Sequence, residues 1–187
     1  ISMSPSTHTV RAGLTYKFTD EFATYVSYAE SVLPPSLTLE PERGEQWEAG
    51  IKYRPEAFPA LFSAAVYDLT KSNITRTNPA TNMQETIGEV RVRGIDLEAK
   101  AEVTDNVSLT ASYSYMMSEI VENGTGGNEG NELSFVPNHL ASLWVNYMLP
   151  GEGMRGDMNF GLGARVSGAY YFNDANTQST GANIVFD

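Results

Sequence analysis

The strongest constraint on the fold is a side-chain pattern of period two that runs almost unbroken through residues 86–118. Ile95, Leu97, Ala99, Ala101 and Val103 alternate with Asp96, Glu98, Lys100 and Glu102, which gives one extended strand an apolar face and a charged face. Thr104, Asp105 and Asn106 carry turn chemistry. Beyond them Val107, Leu109, Ala111, Tyr113, Tyr115 and Met117 alternate with Ser108, Thr110, Ser112 and Ser114. No helical period fits, so the stretch is predicted to be a long β-hairpin whose apolar face continues across the turn. Its arms exceed the usual soluble strand: roughly eleven residues at about 3.3 Å each, tilted near 45°, span about 25 Å, the height of the apolar band of a membrane barrel. In that setting the apolar face meets lipid and the charged and hydroxyl face meets a watery lumen, with Tyr113 and Tyr115 toward a membrane interface. The alternative is a soluble β-sandwich with the same apolar face as its core.

Composition narrows the partners. No run of about twenty apolar residues is present, so no transmembrane helix is predicted, whereas strands that cross a membrane leave only this weak hydropathy signal. A net charge of -11 argues against nucleic acid. The absence of cysteine removes disulfides, thiolate metal sites and a cysteine nucleophile. The chain opens without a basic and apolar leader, which is expected to reflect processing or truncation.

The same two-residue period recurs along the chain. Strands are predicted over 8–18, 22–32, 46–54, 61–71, 139–149 and 157–172, with a further strand starting at 183. On 61–71 the outward set is expected to be Ala65, Tyr67 and Leu69. Val90 and Val92 share a parity that switches before Ile95, and a bulge near Arg93 and Gly94 is expected to absorb the switch. Connections alternate in length: short at 19–21, 55–60, 104–106 and 150–156, long at 33–45, 72–83, 119–137 and 173–181. The segment 119–137, with its run ENGTGGNEGNE, has too little apolar content to pack and is expected to be a long mobile loop. Tight turns on one side and long loops on the other form the layout of an outer-membrane barrel. The fold class is therefore all-β, an antiparallel up-and-down meander of about eight strands plus the start of a ninth, part of a transmembrane outer-membrane β-barrel.

Six segments carry a more specific resemblance: YVSYAESVLPP (25–35), LEPERGEQWEAGIKY (39–53), AAVYDLTKSNI (64–74), GEVRVRGIDLEAKA (88–101), LTASYSYMMSEI (109–120) and VPNHLASLWVNY (136–147). In order and spacing they resemble the C-terminal part of the barrel of TonB-dependent ferric-siderophore receptors of the hydroxamate, ferrichrome-like branch. The resemblance implies a barrel of about twenty-two strands with a plugged lumen in the bacterial outer membrane. Residues 1–187 are then expected to be a single partial barrel domain, with the plug and the last strands outside it. Implied partners are a ferric siderophore, outer-membrane lipid, and the TonB complex acting through the plug. No nucleic acid, enzymatic activity or cofactor is expected, the siderophore supplying every ligand of the iron it carries. The alternative is a small closed eight-stranded barrel with an adhesin or structural role.

Ligand contacts are weakly signalled. Trp144, Tyr171 and Phe172 are the candidates, since aromatic rings near an extracellular rim suit the apolar arms of a hydroxamate chelate; packing and girdle roles compete for each. His8 and His139 lie far apart at strand starts, and no metal site is expected from them. Glu40, Glu42, Arg43 and Glu45 read as exposed loop charge. Arg91 and Arg93 beside Glu89 read as wall charges of the lumen, supporting the barrel or its plug.

Overall fold

The computed structural model describes residues 7–33, 41–77, 84–123 and 126–187. Nine strands follow in order: β1 (Arg11–Lys17), β2 (Phe22–Leu33), β3 (Glu42–Tyr53), β4 (Ala60–Thr77), β5 (Gln84–Thr104), β6 (Val107–Glu122), β7 (His139–Leu149), β8 (Met158–Ser167) and β9 (Asn183–Phe186). Each pairs antiparallel with the next in one sheet of order β1 to β9. Among the described residues β1 and β9 do not meet. Among these residues the sheet does not close on itself, which disfavours the small closed eight-stranded barrel.

Register turns the sequence alternation into two continuous faces. One row crosses the whole sheet as Tyr16, Thr24, Ile51, Ala64, Leu97, Tyr113, Ala141, Val166 and Ile184. The neighbouring row on the opposite face reads Lys52, Ser63, Glu98, Ser112, Ser142 and Arg165. A one-residue slip anywhere would exchange the two environments, so the alternation specifies the register.

Three expectations change here. The outer set of β4 is Phe62, Ala64 and Val66, because Val66 pairs with Ala49 and Ile95 while Tyr67 pairs with Glu48 and Gly94. Ala65, Tyr67 and Leu69 face the polar side, where Tyr67 lies across Gly94. No bulge occurs at Arg93 and Gly94; pairing with β4 runs unbroken from Val90 to Ala101, and the irregularities of the β5–β6 ladder fall at Glu89/Val90 and Glu102/Thr104. The long strands also absorb parts of the expected loops. Residues 42–45 and 72–77 belong to β3 and β4, so Glu42, Arg43 and Glu45 sit on a strand; Glu40, like the tips 34–40 and 78–83, lies outside the described residues.

The parity switch has another cause. Val90 and Ile120 are fully buried on the polar-parity side, and Ile74 and Leu133 pack against them. Leu133 belongs to the connection after β6. At this end of the sheet the inner face is covered by protein and the outer face is wet, so the apolar side chains change sides without any change of register.

Candidate functional site

The apolar face is bounded by two aromatic levels. Tyr28 and Trp47, 4.8 Å apart, and Tyr115 with His139, 5.0 Å apart, stand toward the long loops. Tyr16, Phe18 and Phe22, and the stacked pair Tyr53 and Phe62, stand toward the short turns. Between these levels the outer parity of β6 carries no charge from Val107 to Met117. Those ten steps, at about 3.3 Å each and a tilt near 40°, cover about 25 Å of height, which is the apolar band of an outer-membrane barrel with its flanking girdles.

Beyond the band on the long-loop side the same face turns to charge. Glu30, Glu45, Thr70, Arg91 and Glu119 form one cross-strand row. Arg91 forks onto Asp68, with Nε to Oδ1 at 2.8 Å, and Arg93 reaches Glu119 at 3.5 Å. Arg91 and Arg93 therefore stand on the outside rather than in the lumen wall, because their parity is that of Ile95 and Leu97; Arg93 is level with Trp47 and Met117 at the edge of the apolar band, and Arg91 lies beyond it.

The polar face is a wall of small side chains with a few large rings laid flat. The Oγ atoms of Ser112 and Ser142 are 2.7 Å apart. Tyr25 donates to Glu48 at 2.6 Å and lies over Gly50, with Lys52 5.3 Å from its ring centre. Trp144 lies over Gly161 and Gly163, where any Cβ would overlap its indole. Such rings occupy little depth, so the side chains of this face leave the space beside the sheet unfilled.

The rim is built from residues 126–138 and 168–182. The low apolar content of 119–137 predicts a long mobile loop, yet hydrogen bonds organise residues 126–138. Ile120 donates to the Asn131 carbonyl at 2.9 Å and Gly130 to the Ile120 carbonyl at 2.9 Å, continuing the free edge of β6 above the end of β7. Leu133 N–H donates to Ser118 Oγ at 3.1 Å. The strand expected over 157–172 ends at Ser167, and residues 170–172 instead pair with 178–180 as a short ribbon in the second connection. Phe135, Tyr170 and Phe172 then form one ring cluster, with centroids 5.6 to 6.1 Å apart. Phe135 is 64% and Phe172 45% exposed.

Of the three candidate residues, Phe172 belongs to this cluster, Tyr171 adjoins it and accepts the Phe135 N–H at 2.8 Å through its carbonyl, and Trp144 stands apart. Trp144 is five residues into β7 from the rim, about 16 Å along the strand. Phe135 and Tyr170 were not among the candidates, although Phe135 is the sole aromatic residue between 119 and 137. His139 Nδ1 is 2.9 Å from the Tyr113 hydroxyl on the outer face. Among the described residues no three His, Asp or Glu side chains gather as metal ligands.

An apolar band between aromatic girdles, a polar inner wall, and short turns opposite long loops define the wall of an outer-membrane β-barrel. The chain belongs to the TonB-dependent receptor-like β-barrel family, whose model matches residues 2–187. It is 36% identical over 186 residues to the ferrichrome outer membrane transporter/phage receptor of Escherichia coli K12, covering 96% of this chain and 24% of that one. It is 36% identical over 174 residues to the ferrioxamine receptor of Yersinia enterocolitica, covering 89% and 24%. The siderophore receptor PiuA of Acinetobacter baumannii superposes with a TM-score of 0.76 at 27% identity, over 94% of this chain and 28% of that structure. The chain thus spans about a quarter of the length of the curated relatives it matches. The wall it forms is that of a barrel in the bacterial outer membrane.

Proposed function

We propose that this chain is part of the wall and rim of a TonB-dependent receptor that takes up a ferric siderophore of the hydroxamate type. The observation that carries the reading is the 36% identity, along nearly the whole chain, to a ferrichrome transporter, joined by an equal identity to a ferrioxamine receptor. In this reading residues 1–187 are a partial barrel domain, and the plug that contacts TonB and the strands that complete the barrel are supplied by the rest of a longer protein. The exposed rings of Phe135 and Phe172, with the half-buried Tyr170 between them, meet the apolar arms of the chelate at the mouth, and Trp144 lines the path lower in the lumen. The siderophore holds the iron with its own ligands, so the wall supplies no metal ligand, cofactor or covalent chemistry and the protein acts as a receptor, not an enzyme.

Uptake of radiolabelled iron tests this directly. Cells whose sole ferric-siderophore receptor is the intact protein are expected to accumulate iron from ferrichrome or ferrioxamine B with saturation, and to lose that uptake when TonB is deleted. Uptake from a ferric catecholate with none from either hydroxamate would overturn the ligand class; no uptake from any of the three would overturn the transport reading.

A further inference from the structure

The connections 126–138 and 168–182 are separated by two strands in sequence, yet they are hydrogen-bonded directly to each other. Glu132 N–H donates to Asn176 Oδ1 at 2.8 Å, and Asn176 Nδ2 returns a bond to the Glu132 carbonyl at 2.9 Å. Asn131 Nδ2 donates to the Asp174 carbonyl at 2.8 Å, and Ser134 N–H donates to Asp174 Oδ1 at 3.2 Å. The Phe135 N–H to Tyr171 bond closes the set. Asp174 is 2% exposed, the most buried polar side chain of the described residues. The first connection is in turn fastened to β6 through Ser118 and through Leu133 on the Val90–Ile120 core.

We propose that these two connections form one preassembled unit and that Asp174 is the positioning residue that holds it together. Two features point there. The carboxylate is withdrawn from water and receives a backbone N–H of the opposite connection, so its loss removes the acceptor of that half-buried donor. Phe135 sits in the left-handed backbone region, φ 64°, a conformation a bulky aromatic keeps only when its surroundings dictate it. Those surroundings are the Ser134 and Phe135 N–H bonds and the rings of Tyr170 and Phe172. Asp174 therefore sets where the Phe135 ring stands, without touching a ligand. A chelate arriving at that cluster meets rings already ordered, and the entropy of ordering two long connections does not fall on the binding step. The assembly of the unit is independent of the siderophore reading; its effect on affinity rests on that reading.

Residues 1–187 contain no cysteine, so with any cysteine of the rest of the intact protein replaced by serine, a spin-label pair introduced as Glu129→Cys and Gln178→Cys occupies defined places, one in each connection. Pulsed electron–electron distance measurement on the intact outer-membrane protein is expected to give a single narrow distribution, unchanged by ferrichrome. Asp174→Ala is expected to broaden it, and Asp174→Asn, which keeps the size and one acceptor oxygen, to restore it. With the connections released, ferrichrome affinity measured by fluorescence quenching is expected to fall about tenfold in Asp174→Ala. A broad distribution in the unsubstituted protein overturns the unit, and a narrow one in Asp174→Ala overturns the holding role of Asp174. A broad distribution in that variant with unchanged ferrichrome affinity overturns the positioning role. Failure of the unsubstituted protein to bind ferrichrome overturns the ligand reading, while the distances still decide the assembly.

Discussion

Two glycines separate a tight approach from open space. A Cβ on Gly94 would fall against the Tyr67 ring and 2.7 Å from the Tyr115 carbonyl oxygen. The ring is the far end of a side chain, whereas the carbonyl belongs to β6, which is paired with β5. Overpacking of this kind costs about 1–3 kcal/mol, so Gly94→Ala is expected to lower barrel stability by that amount, read as denaturant midpoint in lipid vesicles. Nothing lies within 4 Å of a Cβ on Gly156, in the β7–β8 turn, and Gly156→Ala is expected to stay within about 0.5 kcal/mol of the parent. Equal losses at both positions would show that the close approach of Tyr67 and the β6 backbone to Gly94 is not what constrains the site. The ion pairs of Arg91 and Arg93 are exposed on both sides, and pairs of that kind contribute little to stability.

At the scale of the strand, facing is the property with the largest energetic consequence. Ala64 and Ala65 are adjacent in β4, yet Ala64 lies in the lipid-facing row between Ile51 and Leu97, and Ala65 in the lumen row between Gly50 and Asp96. Arginine in the middle of the lipid face costs about 2–4 kcal/mol, and lumen positions tolerate charge. Ala64→Arg is therefore expected to destabilise by about that much and Ala65→Arg, beside Asp96, to be far milder, measured by refolding the intact protein into vesicles. The reverse order would overturn the facing of β4. The alternation in the sequence left this strand ambiguous because Phe62, Ala64, Ala65, Val66 and Tyr67 are all apolar or amphipathic; pairing with the unambiguous β3 and β5 resolves it. The connection after β6 shows the opposite limit. Its Gly and Asn content hides a fold held by backbone and amide hydrogen bonds, which leave no hydrophobic period to read.

For the whole molecule, an open sheet in hydrocarbon is untenable at its edges, where backbone groups have neither water nor a partner. Residues 1–187 expressed alone are expected to give no heat-modifiable gel shift in detergent or vesicles, whereas the intact protein is expected to give one. A monomeric shift from residues 1–187 would show that β1 and β9 find each other, and the partial-barrel assignment would fall. The all-β meander, the turns at 104–106 and 150–156, the lipid and lumen faces of β3, β5, β6 and β7, and the family were all legible in the chain, because side chains of period two facing two solvents write their environment directly into the residue order. The outward stance of Arg91 and Arg93, the burial of Val90, Ile120 and Asp174, and the meeting of Phe135 with Tyr170 and Phe172 were not legible. Each depends on where the membrane stops and which connection folds over which strand, and such contacts join residues tens of positions apart through bonds that carry no local period.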